Sequence, residues 1–83
     1  MMDMSDTLSR VQEIFREVFN DDELAVTPDT TAAGVAGWDS LMHVTLVLNV
    51  EKEFGVRFSS SEVDALNSVG DLVSLIEIHA GRR

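Results

Sequence analysis

Residues 40–54, Ser-Leu-Met-His-Val-Thr-Leu-Val-Leu-Asn-Val-Glu-Lys-Glu-Phe, constrain the fold most, because they read as one helix with two apolar faces. At about 100° per residue, Leu46, Val47, Val50 and Phe54 gather on one side, the usual stripe of a core-facing helix. Leu41, Val44 and Leu48 fall nearly opposite, with Thr45 among them and Met42 toward one flank. A small bundle cannot easily bury both stripes of one helix. Either a neighbouring segment covers the second stripe or it stays open for a partner. Glu51, Lys52 and Glu53 decorate its far end and favour the open arrangement. An apolar strip rimmed by charge has the form of a transient docking surface.

The start of this helix is equally informative. Asp39 is the expected N-cap and Gly55 the expected stop. Ser40 then falls at or just inside the N-terminus, where free N–H groups and the positive end of the helix dipole favour a phosphate. Apart from the capping Asp39, no base or activating group is adjacent to it in sequence. A serine placed for a phosphate ester and not for catalysis points to a carrier, with the chemistry on an attached group. His43 lies one turn away, but no oxyanion site or third residue accompanies a Ser–His pair, so hydrolysis is not expected. His43 is expected to pack at the helix edge, and Trp38 to cover the core beside the serine. His79 suits a helix C-terminus. Two distant histidines and no cysteine make a poor zinc set, so no metal site is expected.

Helical spacing of Leu8, Val11, Phe15, Val18 and Phe19 predicts a first helix from about Ser5 to Phe19, with Gln12, Glu13, Arg16 and Glu17 at its edges or far side. Asn20-Asp21-Asp22 breaks it. The acidic turn Asp21-Asp22-Glu23 lacks the ligand alternation of a calcium loop. Residues 20–38 form a long connection punctuated by Pro28, Gly34 and Gly37 and anchored by Leu24, Val26, Val35 and Trp38. Beyond Phe54, Val56-Arg57-Phe58 reads as an extended connector. Ser59 and Glu62 form a capping box for a short helix, roughly Ser60 to Leu66. Ser68 caps the last helix, whose buried stripe is Val69, Leu72, Val73 and Ile76. Gly81 ends that helix, and Arg82 and Arg83 complement its negative pole. The expectation is an all-α bundle, three long helices and one short, as a single domain over residues 1–83. Its Val, Leu and Ile core can part to admit a slender apolar chain, and Leu46, Val47, Val50, Leu66, Val69 and Ile76 would line that cleft.

A net charge of −9 makes nucleic acid and anionic membranes poor partners and a basic protein surface a good one. The absence of cysteine excludes a disulfide or protein thiol nucleophile and fits a reducing compartment. The acidic start Met1-Met2-Asp3-Met4-Ser5-Asp6 has neither signal-peptide nor transit-peptide character, and no apolar run approaches membrane-spanning length. A cytoplasmic monomer that does not insert into membranes is expected.

Trp38-Asp39-Ser40-Leu41, then Leu46, Val50-Glu51-Lys52-Glu53-Phe54-Gly55-Val56 and Ser68-Val69-Gly70-Asp71-Leu72, together resemble the acyl carrier proteins. The similarity spans nearly the whole chain, including the long connection. It implies that Ser40 carries 4′-phosphopantetheine, placed there by a phosphopantetheinyl transferase from coenzyme A. The arm's thiol would hold acyl groups as thioesters, so the protein would be a carrier and not an enzyme. Asp39 and Leu41 would help enzymes recognise the site. The partner face would comprise Leu41, Met42, Val44, Thr45, Leu48, Glu51 and Glu53, meeting acyl ligases, synthases or acyltransferases with basic docking surfaces. Carriers of primary fatty acid synthesis tend to place acidic residues just after the Asp-Ser-Leu triplet. Here Met42, His43 and Thr45 stand there, and Trp38 resembles carriers of specialised pathways. Fatty acid, polyketide and specialised lipid pathways stay open. So do an aminoacyl or peptidyl carrier of the same fold and a helical adaptor with no prosthetic group.

Overall fold

Apolar residues recurring every three to four positions become four α-helices in the computed structural model, which describes residues 4–80. They are α1 (Met4–Val18), α2 (Ser40–Phe54), α3 (Ser60–Asp64) and α4 (Val69–Ala80). Among the described residues there is no strand, only an isolated antiparallel bridge between Thr31 and Ser68. This is the all-α arrangement expected. The stop at Gly81 and the role given to Arg82 and Arg83 lie outside the described residues.

The core is built where the stripes meet. α1 supplies Val11, Ile14 and Phe15; α2 supplies Leu46, Val50 and Phe54; α4 supplies Val69, Leu72, Val73 and Ile76. Ile14 extends the stripe read for α1, while Leu8, Val18 and Phe19 are only partly buried against it. α1 ends a residue earlier than expected. Asn20 adopts a left-handed φ of 53°, and the Asp21 N–H reaches back to the Arg16 carbonyl at 3.0 Å.

α3 has the expected capping box: Ser59 Oγ accepts from the Glu62 N–H, and Glu62 Oε1 accepts from the Ser59 N–H. It stops at Asp64, however, and not at Leu66. The Leu66 N–H turns to the Val63 carbonyl at 3.2 Å, three residues back, so the four-residue ladder is not continued.

The long connection is pinned along its length. Arg16 Nε donates to the Leu24 carbonyl at 2.7 Å, and the Val26 N–H donates to Gln12 Oε1 at 3.1 Å. A single 3-10 turn spans Ala32–Gly34, and Val26 and Val35 are buried. The first-turn N–H groups of α4 find partners in it: Val69 donates to the Thr30 carbonyl and Gly70 to that of Pro28, each at 2.8 Å. Gly70 is required there, since a Cβ at that position would lie 2.8 Å from the Pro28 oxygen. These pins hold the connection against α1 and α4. It leaves the second stripe of α2 uncovered, with Leu41 74%, Val44 53% and Leu48 55% exposed.

Candidate functional site

The chain turns into α2 through Gly37, whose φ of 87° favours glycine. Asp39 is extended, and its Oδ1 accepts from the Met42 N–H at 2.9 Å while its carbonyl accepts from the His43 N–H at 2.8 Å. It is thus the expected N-cap, and Ser40 is the first helical residue. Ser40 is exposed. Its own N–H and that of Leu41 have no carbonyl one turn earlier in the helix to bind, so the helix start offers donors toward a phosphate.

Beside Ser40 lies an open depression of about 500 Å³, walled by Trp38, His43, Val44, Val63, Asp64 and Leu66 among others. It adjoins a second depression of about 260 Å³ between α2 and α3, with Val44, Val63 and Asp64 common to both and Val47, Leu48 and Phe58 farther along. An exposed hydroxyl with donors beneath it and a roomy, partly apolar surface alongside fits an attached phosphoryl group bearing a long flexible chain.

His43 is not placed as a base for Ser40. Trp38 Nε1–H donates to His43 Nδ1 at 3.1 Å, and His43 Nε2 faces the Val63 carbonyl at 3.4 Å. Both ring nitrogens are therefore engaged. Instead of resting on the helix edge, the imidazole bridges two elements. Sequence reading missed this bridge. Its signal was present: on the wheel His43 falls among Val50 and Phe54, and a histidine on a buried stripe needs polar partners. His79 is also placed by a partner, with Nε2 2.9 Å from Glu62 Oε2.

Leu41, Val44 and Leu48 form the exposed strip, with Met42 and Thr45 half-buried at its margins. Thr45 Oγ1 donates to the Leu41 carbonyl at 3.1 Å. The two glutamates expected to rim the strip are both engaged within the fold. Glu51 Oε2 accepts from the Phe58 N–H at 2.8 Å, holding the connector. Glu53 stands about 140° around the helix from Leu48. There it pairs with Arg10 at 2.8 Å, whose guanidinium lies 4.4 Å from the Phe54 ring. Of the expected cleft residues, Leu46, Val50, Val69 and Ile76 are fully buried in the packed core. Val47 is buried but lines the second depression, and half-buried Leu66 lines the first. The six do not enclose a common cavity.

Comparison with known proteins agrees with this geometry. The family model described as a phosphopantetheine attachment site matches residues 9–76. An acyl carrier protein of Thermotoga maritima is 36% identical over 81 residues, covering 98% of this chain and all of that protein. The solution structure of the holo acyl carrier protein from Geobacter metallireducens superposes with a TM-score of 0.86 at 37% identity, over 92% of this chain and 87% of that one. The crystal structure of an acyl carrier protein from Thermotoga maritima gives 0.84 at 25% identity, over 98% and 94%. Among the described residues no helix is long and apolar enough to cross a membrane. The chain belongs to the acyl carrier proteins, non-catalytic carriers of a covalent 4′-phosphopantetheine.

Proposed function

We propose that Ser40 is the residue that bears the 4′-phosphopantetheine, and that the chain presents acyl thioesters from there to biosynthetic enzymes. The observation that carries this is the exposed Ser40 hydroxyl at the first position of an Asp39-capped helix, beside the open depression. When bound, the group supplies a terminal thiol that holds the acyl cargo as a thioester. The residues of the chain bind and orient. Asp39 fixes the helix start by taking the Met42 N–H, which keeps Ser40 pointing outward. Leu41, Val44 and Leu48 offer apolar contact to the phosphopantetheinyl transferase and to ligases, synthases or acyltransferases in turn. Met42 and Thr45 border that contact.

The net charge of −9 favours enzymes with basic docking surfaces. Glu53 is paired with Arg10, whereas Glu51 keeps its charge on accepting a neutral N–H, so Glu51 adds to the field of the acidic surface as a whole. The cysteine-free, acidic sequence supports work as a monomer in the cytoplasm. The early α2 positions held by Met42, His43 and Thr45 support a specialised lipid or polyketide pathway over general fatty acid synthesis. Incubation with coenzyme A and a broad-specificity transferase should add the mass of one phosphopantetheinyl group. Ser40→Ala should abolish that gain with helical content nearly unchanged, and a modified Ser40→Ala protein would refute the assignment.

A further inference from the structure

His43 sits on the core stripe of α2, in the turn between Ser40 and fully buried Leu46 and Val50. An indole N–H can only donate, so the 3.1 Å contact from Trp38 makes His43 Nδ1 the bare nitrogen and leaves the proton on Nε2. That N–H donates to the Val63 carbonyl over a longer 3.4 Å. The Trp38 and His43 rings lie 6.0 Å apart with their planes 21° from parallel, and Trp38 meets Phe15 edge-on at 5.2 Å. One bridge therefore ties the long connection, α2 and α3 across the end of the core nearest Ser40. α3 is the helix with the weakest hold of its own, five residues long with none buried.

On the reading that Ser40 carries the arm, we propose that the Trp38–His43–Val63 bridge is a latch that sets the minimum length of acyl chain able to enter the core. A chain leading from Ser40 toward Leu46 and Val50 must part α3 from α2 at the contact between His43 and Val63. The longer bond is the parting point, and the Trp38 bond holds the imidazole in the orientation that makes it. Opening the latch has a fixed cost, whereas the gain from burying an apolar chain grows with every methylene. Short acyl groups therefore stay on the surface depressions, where Val44 and Val63 offer apolar contact and no hydrogen bond must break. Longer groups open the latch. Trp38 and His43 are positioning residues acting through Val63 and α3.

The test loads the full chain with straight-chain acyl arms of every length from acetyl to decanoyl, odd and even, from the corresponding acyl-coenzyme A compounds. Intact mass comes first: a wild-type chain that takes no arm refutes the Ser40 reading itself. The loaded proteins are then compared by the NMR shifts of the Val50 and Ile76 methyl groups, which move when a chain enters among them. Trp38→Phe keeps an aromatic edge on Phe15 and removes the donor. Its threshold for methyl shifts should fall by about one or two methylenes, the ratio of one net hydrogen bond to one buried methylene. His43→Leu, which removes both bonds, should lower it at least as far. A purely structural role would lower the melting temperature of the unloaded protein without moving the threshold. An unchanged or longer threshold in both variants overturns the latch. So does an absence of core shifts at every length, and so does loss of the unloaded fold in both variants, which would assign the bridge to folding alone.

Discussion

Leu48 and Val50 share α2 but face opposite ways, so truncating each to alanine separates the open strip from the core. Val50 is 0% exposed and Leu48 is 55% exposed. Val50→Ala removes two buried methyl groups, about 1.6 kcal/mol at roughly 0.8 kcal/mol per buried carbon. If the site does not collapse, a void of about 50 Å³ adds about 1 kcal/mol at ~24 cal/mol per Å³. The expected loss is on the order of 2–3 kcal/mol.

Leu48→Ala removes more carbon but leaves no enclosed void, because more than half of that residue already faces water. Its loss should stay below about 1 kcal/mol, reduced further by alanine's helix propensity. For a domain of this size each kcal/mol moves the melting temperature by about 4–8 °C, so the two variants should separate clearly in thermal scans followed by circular dichroism. Urea midpoints provide the free energies. Equal and large losses at both positions would mean that the strip is buried, and the docking argument would fail with it.

Gly70→Ala should destabilise by about 1–3 kcal/mol despite alanine's better helix propensity of about 1 kcal/mol, because the added Cβ meets a backbone oxygen; a stabilised variant in urea unfolding would contradict the close approach. Added salt should slow association of the transferase more than it speeds dissociation, whereas Leu41→Ala should raise the off-rate with the on-rate nearly kept. Stopped-flow binding separates the two, and an on-rate indifferent to salt would remove the steering argument. The Ser59 backbone N–H, and then the His79 ring, hold the Glu62 carboxyl below the ordinary carboxylate range. A depressed folded value contributes stability that is present above the unfolded value and lost as pH falls through the folded one. Glu62→Gln should therefore flatten the acid limb of the stability curve, and an identical limb in urea titrations at falling pH would count against the capping role.

Local chemistry was legible in the sequence and long-range pairing was not. The bounds of α2 follow from Asp39 and Gly55, and the start of α3 from Ser59 and Glu62, because each cap acts within one turn. The end of α3 was overrun because the choice between a three-residue and a four-residue hydrogen bond at Leu66 depends on the tertiary path. The ties that hold the two glutamates were not legible for the same kind of reason. Glu53 answers Arg10 on α1, and Glu51 answers a connector N–H that exists only once the chain has turned back. Fully buried Thr7 donates to Glu77 on α4, a contact no periodicity announces. Burial of Leu46, Val50, Val69 and Ile76 was readable from the stripes. Whether the space among them opens depends on what closes its end, and that closure rests on His43, a polar residue on an apolar stripe.

The pins on the long connection also bear on the site. Gln12, Arg16 and the first N–H groups of α4 draw residues 24–31 onto the side of the bundle away from the strip. The connection then brings Trp38 against Phe15 and beside Ser40. The same path leaves Leu41, Val44 and Leu48 uncovered and delivers the indole to His43. An uncovered apolar strip invites a second copy of the chain as readily as an enzyme, unless something distinguishes them. Charge does. Two copies, each at −9, would repel before their strips could meet, while the basic enzyme surface proposed as partner would be drawn in by the same field. On the proposed reading the acidity belongs to the docking surface, with exposed Asp64 beside Val44 and Leu48 and the remaining charge farther off. On that proposal the contact chemistry would sit on α2, and selectivity among partners would be spread over the whole exterior.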